Sequence, residues 1–387
     1  MYLNVASTTA PNKNVLDDFL WCAENHWYNP SDVSQDALNT KQIIHNAQEQ
    51  IAKSINAKAN EIVFTSGGTE SNNWAIKGYL DANPDVDTII TTEIEHSSVY
   101  NVCKYLETKG YKIYYAPVDA YDGIVDTYKL QKIIQDNNIT NPFVSIMLVN
   151  NEIGTIQPIK EISKIVKSVG GVLHTDAVQA YMHMNIDVQD LGVDLMSTSF
   201  HKFGGLKNSG FLYIREGIEL TPLLHGGHQF EARRSGTENV PAIYAMGRQV
   251  ERLSEELDVT REYDMEMERY FIKKIYEKHE GACEEIFLNG HPTKRLPTTL
   301  SFTFMGINAD ALITLLDMKE IQISAGSACE AYTSMPSRVL KAIGLTDEEA
   351  KSTIRISFDA RTINEQIIDD FTDTLSKCIK KLKMVVD

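Results

Sequence analysis

Between about Asn60 and Arg215 the chain alternates short β-rich apolar runs with longer helical patterns, and this alternation constrains its fold more than any other feature. EIVFTS (61–66), TIITTE (88–93), KIYYAPV (112–118), FVSIMLV (143–149), VLHTDAV (172–178), DLMSTS (194–199) and SGFLYIR (209–215) read as seven strands. Helical segments at 69–80, 97–109, 127–137 and 158–169 fall between several of them. Strands that alternate with helices predict an α/β domain around a mostly parallel sheet. Most of the runs are apolar at successive positions, as a sheet covered by helices on both faces requires.

Beyond Leu253 the texture changes. A long charged helical stretch, EELDVTREYDMEMERYFIKKIYEKHEG, leads into a second region. There TTLSFTF (298–304), EIQIS (320–324) and STIRISF (352–358) read as strands and Ala309–Asp317 as a helix. These elements predict a smaller α+β domain with a boundary near 255. Repeats, low-complexity tracts and Pro/Gly/Ser linkers are lacking in the 387 residues, so the two domains are expected to pack together.

Charge and cysteine usage remove several function classes. The 37 basic and 53 acidic residues leave a formal net charge of −16, which argues against nucleic-acid or anionic-membrane binding. The N-terminal MYLNVASTTAP has no signal-peptide pattern, and no apolar run approaches the ~20 residues of a membrane span, so a cytoplasmic protein is expected. Cys22, Cys103, Cys283, Cys329 and Cys378 are scattered, odd in number and without a Cys-x-x-Cys pair. That predicts neither a disulfide framework nor a structural metal site and suits a reducing compartment.

Four constellations carry candidate chemistry. Ser66-Gly67-Gly68-Thr69-Glu70 joins a strand to a helix, where free N–H groups and the helix dipole suit a phosphate. A plain turn capped by Thr69 is the alternative, and glycine turns before helices are common. Asp176 ends the strand VLHTD with Gln179 three residues on; a carboxylate there would hold a proton on a pyridine nitrogen or merely cap the next helix. Lys202 follows a strand in Ser199-Phe200-His201-Lys202, placed either to form a Schiff base or to sit solvated at a strand end. Cys329, in SAGSACEA, is either an accessible nucleophile or a buried structural thiol. Phosphate turn, pyridine-nitrogen carboxylate and Schiff-base lysine, in this order, are the three parts of a pyridoxal 5′-phosphate site.

The sequence also resembles, nearly end to end, a known family: the cysteine desulfurases of the class V aminotransferase group, of the type serving nitrogenase and iron–sulfur cluster assembly. The resemblance is carried by EIVFTSGGTESNN, EHSSVYN, SIMLVNNEIGTIQPI, HTDAVQA, SFHKFGG, RRSGTENVPAI, LPTTLSF, SAGSACEA and STIRISF. It implies an aspartate-aminotransferase-like fold (fold type I). Residues 13–255 would form the large domain, and 1–12 with 256–387 the small one. It also implies roles. Lys202 would bind the cofactor covalently, and His96 would lie over its ring and assist proton transfer. Asp176 would hold the pyridine nitrogen and Gln179 the ring hydroxyl. Asn151 would sit near cofactor and substrate. Gly68, Thr69, Ser199 and His201 would hold the phosphate. Thr237 would reach the phosphate of a partner subunit, which requires a homodimer. Arg355 would pair with the carboxylate of L-cysteine, and Cys329 would receive the sulfur as a persulfide. A protein acceptor, such as a cluster scaffold or a thiolation enzyme, would then take it.

Some positions depart from the family pattern. Asn208 in GGLKNSG replaces a glycine, Asn4 stands where an aspartate is usual, and Cys329 is followed by Glu330, Ala331 and Tyr332 in place of small serine-like residues. Three other readings remain at this level. A selenocysteine lyase also uses a cysteine, an aminotransferase of the same class has no need of Cys329, and a scaffold that binds a sulfur acceptor without turnover has no need of Lys202.

Overall fold

The computed structural model describes residues 1–279, 286–326 and 336–386. Helices α1 (Lys13–Asn25) and α2 (Gln35–Ser54) precede β1 (Ile62–Thr65) and α3 (Gly68–Ala82). Then come β2 (Thr88–Thr92), α4 (Ser97–Glu107), β3 (Lys112–Ala116), α5 (Thr127–Asp136), β4 (Phe143–Ser145) and α6 (Ile159–Ser168). Next are β5 (Val172–Asp176), the short α7 (Val188–Leu191), β6 (Leu195–Ser197), β7 (Gly210–Ile214) and the long α8 (Val240–Lys278). The rest comprises β8 (Ile286–Asn289), β9 (Thr299–Phe304), α9 (Ala309–Asp317), α10 (Arg338–Ala342), α11 (Asp347–Lys351), β10 (Thr353–Ser357) and α12 (Glu365–Val386).

The first seven strands form one sheet in the order β1-β7-β6-β5-β4-β2-β3. Pairing is parallel from β6 through β5, β4 and β2 to β3, while β7 runs antiparallel to both β6 and β1. The mostly parallel seven-stranded sheet expected from the alternation is therefore present. Two reversals leave β1 pointing the same way as β6, so six carboxyl ends gather on one edge. Period-2 alternation sorts the side chains. Phe64, Ile90, Val144, Leu173, Met196 and Phe211 join the core beneath α1, α2, α5, α6 and α8. Their chain neighbours Val63, Ile89, Phe143, Val172, Leu195 and Leu212 join the core beneath α3 and α4.

The second sheet is antiparallel, in the order β10-β9-β8. Leu300, Phe302, Phe304, Ile354 and Ile356 pack there against Phe271 and Ile275 of α8, Leu312 and Leu316 of α9 and Phe371 of α12. Leu3 belongs to this core as well. Helix α8 passes position 255 without a break, contributing Ile243, Met246 and Val250 to one core and Met267 onward to the other.

Two strand expectations shorten. FVSIMLV is a strand only over Phe143–Ser145; beyond it the N–H groups of Ile146 and Leu148 still donate to His174 and Asp176, so pairing persists on the β5 side alone. EIQIS forms no ladder, only isolated bridges from Gln322 to Tyr2 and from Ser324 to Arg355. Its first residue, Glu320, is left-handed at φ +60°, and the partner on one side is the short N-terminal segment.

Candidate active site

Sheet direction decides where the polar motifs meet. Ligands in open α/β sheets bind beyond the carboxyl ends of the strands. Gly68 and Thr69 follow β1, His96 follows β2, and Asn151 lies in the turn after β4. Asp176 ends β5, Gln179 follows it, and Ser199, His201 and Lys202 follow β6. All of them line one cavity of about 420 Å³, together with Arg355 from the second sheet and Ala6 and Ser7 from the N-terminal segment. Ten of the twelve sequence-derived candidates are thereby brought together. Thr237 lies apart, in an adjoining cavity of about 210 Å³ that shares Ser66 and Asn208 with the first. Cys329 lies outside the described residues.

One end of the cavity is a glycine turn at the N-terminus of α3. Gly67 has φ +131°, a conformation few other residues adopt, and it swings the chain from β1 into the first turn of α3. A methyl group on Gly68 would stand 2.7 Å from Val178 Cγ2, so the close backbone approach requires glycine there. Glu70 caps the turn by accepting from the Ser66 N–H at 2.7 Å and is paired with Arg234 at 2.9 Å. Burial opposes that carboxylate's charge, but Arg234 and Ser66 outweigh it and hold the pKa low. Burial, reinforced by Lys202 and Lys207, pushes His201 down to about 4, so at neutral pH it serves as an uncharged hydrogen-bonding ring. Asn208 adopts the left-handed conformation at φ +56°, which explains how it stands in for glycine.

The middle of the cavity is a hydrogen-bonded relay. Asp176 Oδ1 accepts from the Val178 N–H at 2.9 Å and Oδ2 from Asn72 Nδ2 at 2.7 Å. Asn72 Nδ2 also donates to Ser98 Oγ at 2.8 Å, and Ser98 Oγ lies 2.8 Å from His96 Nδ1. The Ser98 N–H donates to the same Nδ1 at 3.2 Å, so that nitrogen acts as an acceptor. Asn72 and Ser98 were invisible as site residues in the sequence because asparagine and serine there also suit an ordinary helix start.

The third part comes from distant chain. Lys202 Nζ donates to the carbonyls of Ala6 and Ser7, each at 2.7 Å, and Gln179 Nε2 donates to the Ala6 carbonyl at 2.9 Å. Thr9 donates to the His201 carbonyl through both N–H and Oγ1, at 3.0 and 2.9 Å. Arg355, 2% exposed, donates from Nη1 to the Asn151 carbonyl at 2.7 Å and from Nη2 to Asn4 Oδ1 at 2.9 Å. Backbone carbonyls carry no residue signature, so the part played by residues 6–9 could not be read from sequence. Asn4 did leave a signal, as a departure from the family pattern.

Behind the relay sits Glu95, 1% exposed, accepting from Thr92 Oγ1 at 2.7 Å and from the Met147 N–H at 3.0 Å. Burial drives its pKa up to about 8, and the negative charge of Asp176 adds to the rise against the pull of Thr92, Met147 and Arg338. The native state therefore keeps a proton that the unfolded chain gives up near pH ~4.3. Stability from this group is full below pH ~4.3 and is lost as pH rises to about 8, at about 1.4 kcal/mol per pKa unit. Glu95→Gln keeps, on its single amide oxygen, an acceptor for both Thr92 Oγ1 and the Met147 N–H without an ionisable group. Thermal unfolding across this window should show wild type losing Tm relative to Glu95→Gln as pH rises; parallel curves would refute the assignment.

Among the described residues no group of three or more His, Cys, Asp or Glu side chains is arranged to hold a metal ion, and no helix is long and apolar enough to cross a membrane.

Comparison with known proteins agrees with this geometry. The class-V aminotransferase family model matches residues 1–369. The chain is 41% identical to the cysteine desulfurase IscS of Dictyoglomus turgidum, over 100% of this chain and 96% of that protein. It is likewise 41% identical to the cysteine desulfurase IscS of Methanosarcina thermophila, over 99% and 93% of the two chains. Among solved structures, a NifS-like protein superposes with a TM-score of 0.90 at 32% identity, covering 99% of this chain and all of that one. A structure of SspA in complex with cysteine gives a TM-score of 0.79 at 34% identity, over 93% of this chain and 99% of that one. A glycine turn at a helix N-terminus, a buried carboxylate and a lysine on one sheet edge, matched over nearly the whole length by these relatives, lead to one conclusion: the chain belongs to the class-V aminotransferase family of pyridoxal-phosphate enzymes.

Proposed function

We propose that the protein is a cysteine desulfurase that moves the sulfur of L-cysteine onto Cys329 and releases L-alanine. The observation that carries this reading is the meeting of Lys202 and Asp176 from the large sheet with Arg355 from the small one in a single cavity. The names of the relatives and the cysteine bound to SspA support the choice of substrate.

The residues present fit pyridoxal phosphate. The Gly67–Thr69 cradle, with Ser199 and His201 beside it, suits the phosphate. The side-chain Oδ1 atoms of Asn72 and Asn151 are buried without a hydrogen-bond partner among the described residues, which marks space for a polar ligand. When bound, the cofactor supplies an electron sink that makes the substrate α-carbon acidic and weakens its Cβ–S bond. Lys202 anchors it, and the Nζ atom then holds and moves the α-proton. Asp176, kept in place by Asn72 and Val178, holds the proton on the pyridine nitrogen. Gln179 would take the ring hydroxyl, and His96 would assist proton transfer. Arg355 offers a planar fork to the substrate carboxylate, oriented by Asn151 and Asn4.

The Cys329 thiolate attacks the substrate sulfur. The Cβ–S bond breaks, an S–S bond forms, and the carbon takes a proton, so alanine and a persulfide result with no outside oxidant or reductant. A protein acceptor, such as a cluster scaffold or a thiolation enzyme, then removes the sulfur, and a reducing cytoplasm suits that cycle. Thr237, in the adjoining cavity, reaches the phosphate bound to a partner subunit, so the enzyme works as a homodimer. The separate apolar cores of the large sheet and of the small sheet support the division into residues 13–255 and residues 1–12 with 256–387. Alanine and sulfide release from L-cysteine by the yellow, cofactor-loaded protein tests the reading. Release of neither product refutes it.

A further inference from the structure

One turn holds both a wall of the cavity and a residue that plays no part in the chemistry above. Asn150 Oδ1 accepts from the N–H groups of Glu152 and Ile153 at 2.8 and 3.0 Å, and Asn150 Nδ2 donates to the Ile94 carbonyl at 2.8 Å. The turn is thus pinned to the end of β2, and Glu152, only 2% exposed, emerges from it beside Asn151. Burying a carboxylate is costly unless its oxygens are engaged. Glu152 Oε2 accepts from Ser337 Oγ at 2.6 Å. The same oxygen lies 3.0 Å from where a methyl group on Gly326 would stand, so the Gly326 backbone rests against it. In sequence, Gly326 and Ser337 flank the stretch that carries Cys329.

The contacts run on from both flanks. Ser324 Oγ donates to the Gly326 carbonyl at 2.6 Å, and Ser324 pairs through its backbone with Arg355, at 2.6 and 3.2 Å. Arg355 in turn donates to the Asn151 carbonyl. Arg355, Ser324, Gly326, Glu152 and Asn151 therefore close a circuit. On the other flank Arg338 Nη2 donates to the Glu95 carbonyl at 2.7 Å, next to His96, and its guanidinium stacks 3.8 Å from the Tyr100 ring.

We propose that Glu152 is a positioning residue for sulfur transfer, its carboxylate fastening Ser337, which follows the Cys329 stretch in sequence, to the turn that carries Asn151, with Gly326, which precedes that stretch, packed against the same oxygen. The proposal rests on the reading of Cys329 as sulfur acceptor. Holding the residues beside a reacting group lowers the entropic cost of bringing that group to its target. A misplacement of about 1 Å is enough to slow a positioned reaction ~100-fold.

The test compares variants of the cofactor-loaded enzyme. Glu152→Ala should bind cysteine within about twofold of wild type, read from the cofactor's absorbance change, and form alanine and Cys329 persulfide about 10–100-fold more slowly. Glu152→Gln, whose amide oxygen still accepts from Ser337, should stay within about threefold of wild type. Ser337→Ala, which keeps the carboxylate and loses one fastening, should slow transfer with binding unchanged. An undiminished rate in Glu152→Ala overturns the proposal. So does an equal fall of binding and transfer, which marks a general structural role, or a Gln variant as slow as Ala. Cys329→Ser run alongside separates the two failures. Desulfuration by that variant overturns the acceptor reading and this proposal together, whereas a silent Cys329→Ser beside a normal Glu152→Ala overturns this proposal alone.

Discussion

Lys202→Ala abolishes turnover, by at least ~10³-fold, and leaves no borohydride-reducible link between cofactor and protein. Loss of a positioned acid–base group alone accounts for ~10²–10⁴, and here the proposed anchor of the cofactor would go with it. The structure names the one competitor that must be excluded. Lys207 also lines the cavity, but it is exposed at the rim, while Lys202 Nζ is held 2.7 Å from two carbonyls, those of Ala6 and Ser7. Those two hydrogen bonds also tie the N-terminal segment to the loop after β6, so the alanine variant should unfold a few degrees earlier. Lys202→Arg controls for this. Arginine retains charge and donors yet stays protonated and forms no Schiff base, so it should be as inactive as alanine in a better-folded protein. Reduction followed by peptide mapping gives the answer, and a cofactor link found on Lys207 or elsewhere would sink the assignment.

Cys329→Ser separates binding from transfer. The variant should show the same cofactor absorbance change with L-cysteine, within about twofold in affinity, because Lys202, Asp176 and Arg355 remain. Its release of alanine and sulfide should fall at least ~10²-fold, since a serine hydroxyl is a far weaker nucleophile than a thiolate near neutral pH. The other described cysteines offer no substitute. Cys22, Cys103 and Cys378 are buried in apolar cores, and burial pushes Cys22 up to about 11 and Cys103 up to about 12. Desulfuration at the parental rate would make Cys329 a bystander and leave the persulfide step without a carrier.

Several features were legible because they are local. Strand and helix periodicity placed α3, α4, α5, α6 and α9 within one or two residues, since a buried helix face repeats within its own segment. The glycine turn before α3, the aspartate ending β5 and the lysine after β6 were visible as strand-end motifs, and the sheet carries them to a common edge. Other elements were harder, and α1, α2, α7, α10, α11 and α12 were not assigned from sequence at all. EIQIS has strand composition, but its neighbours leave it single bridges, so propensity was overridden by the available partners. Strand β8 went unassigned, as IFLN is short and only its pairing with β9 defines it. The charged stretch after 253 was read as a helix on its own, whereas α8 begins at Val240 and is shared by two cores.

By itself the sequence determined the succession along the chain of the large sheet's strands, ten of the residues that line the cavity and the family, because each depends on local patterns. Tertiary structure decided what those residues touch. Only the folded chain brings Ala6 and Ser7 against Lys202, Asn4 against Arg355 and Glu152 against Gly326 and Ser337. These contacts join parts of the chain far apart in sequence, and several use backbone carbonyls that every residue possesses. No local pattern encodes such a meeting. It follows from the direction of strands in the large sheet and from the packing of the small sheet, with the N-terminal segment, across its carboxyl edge.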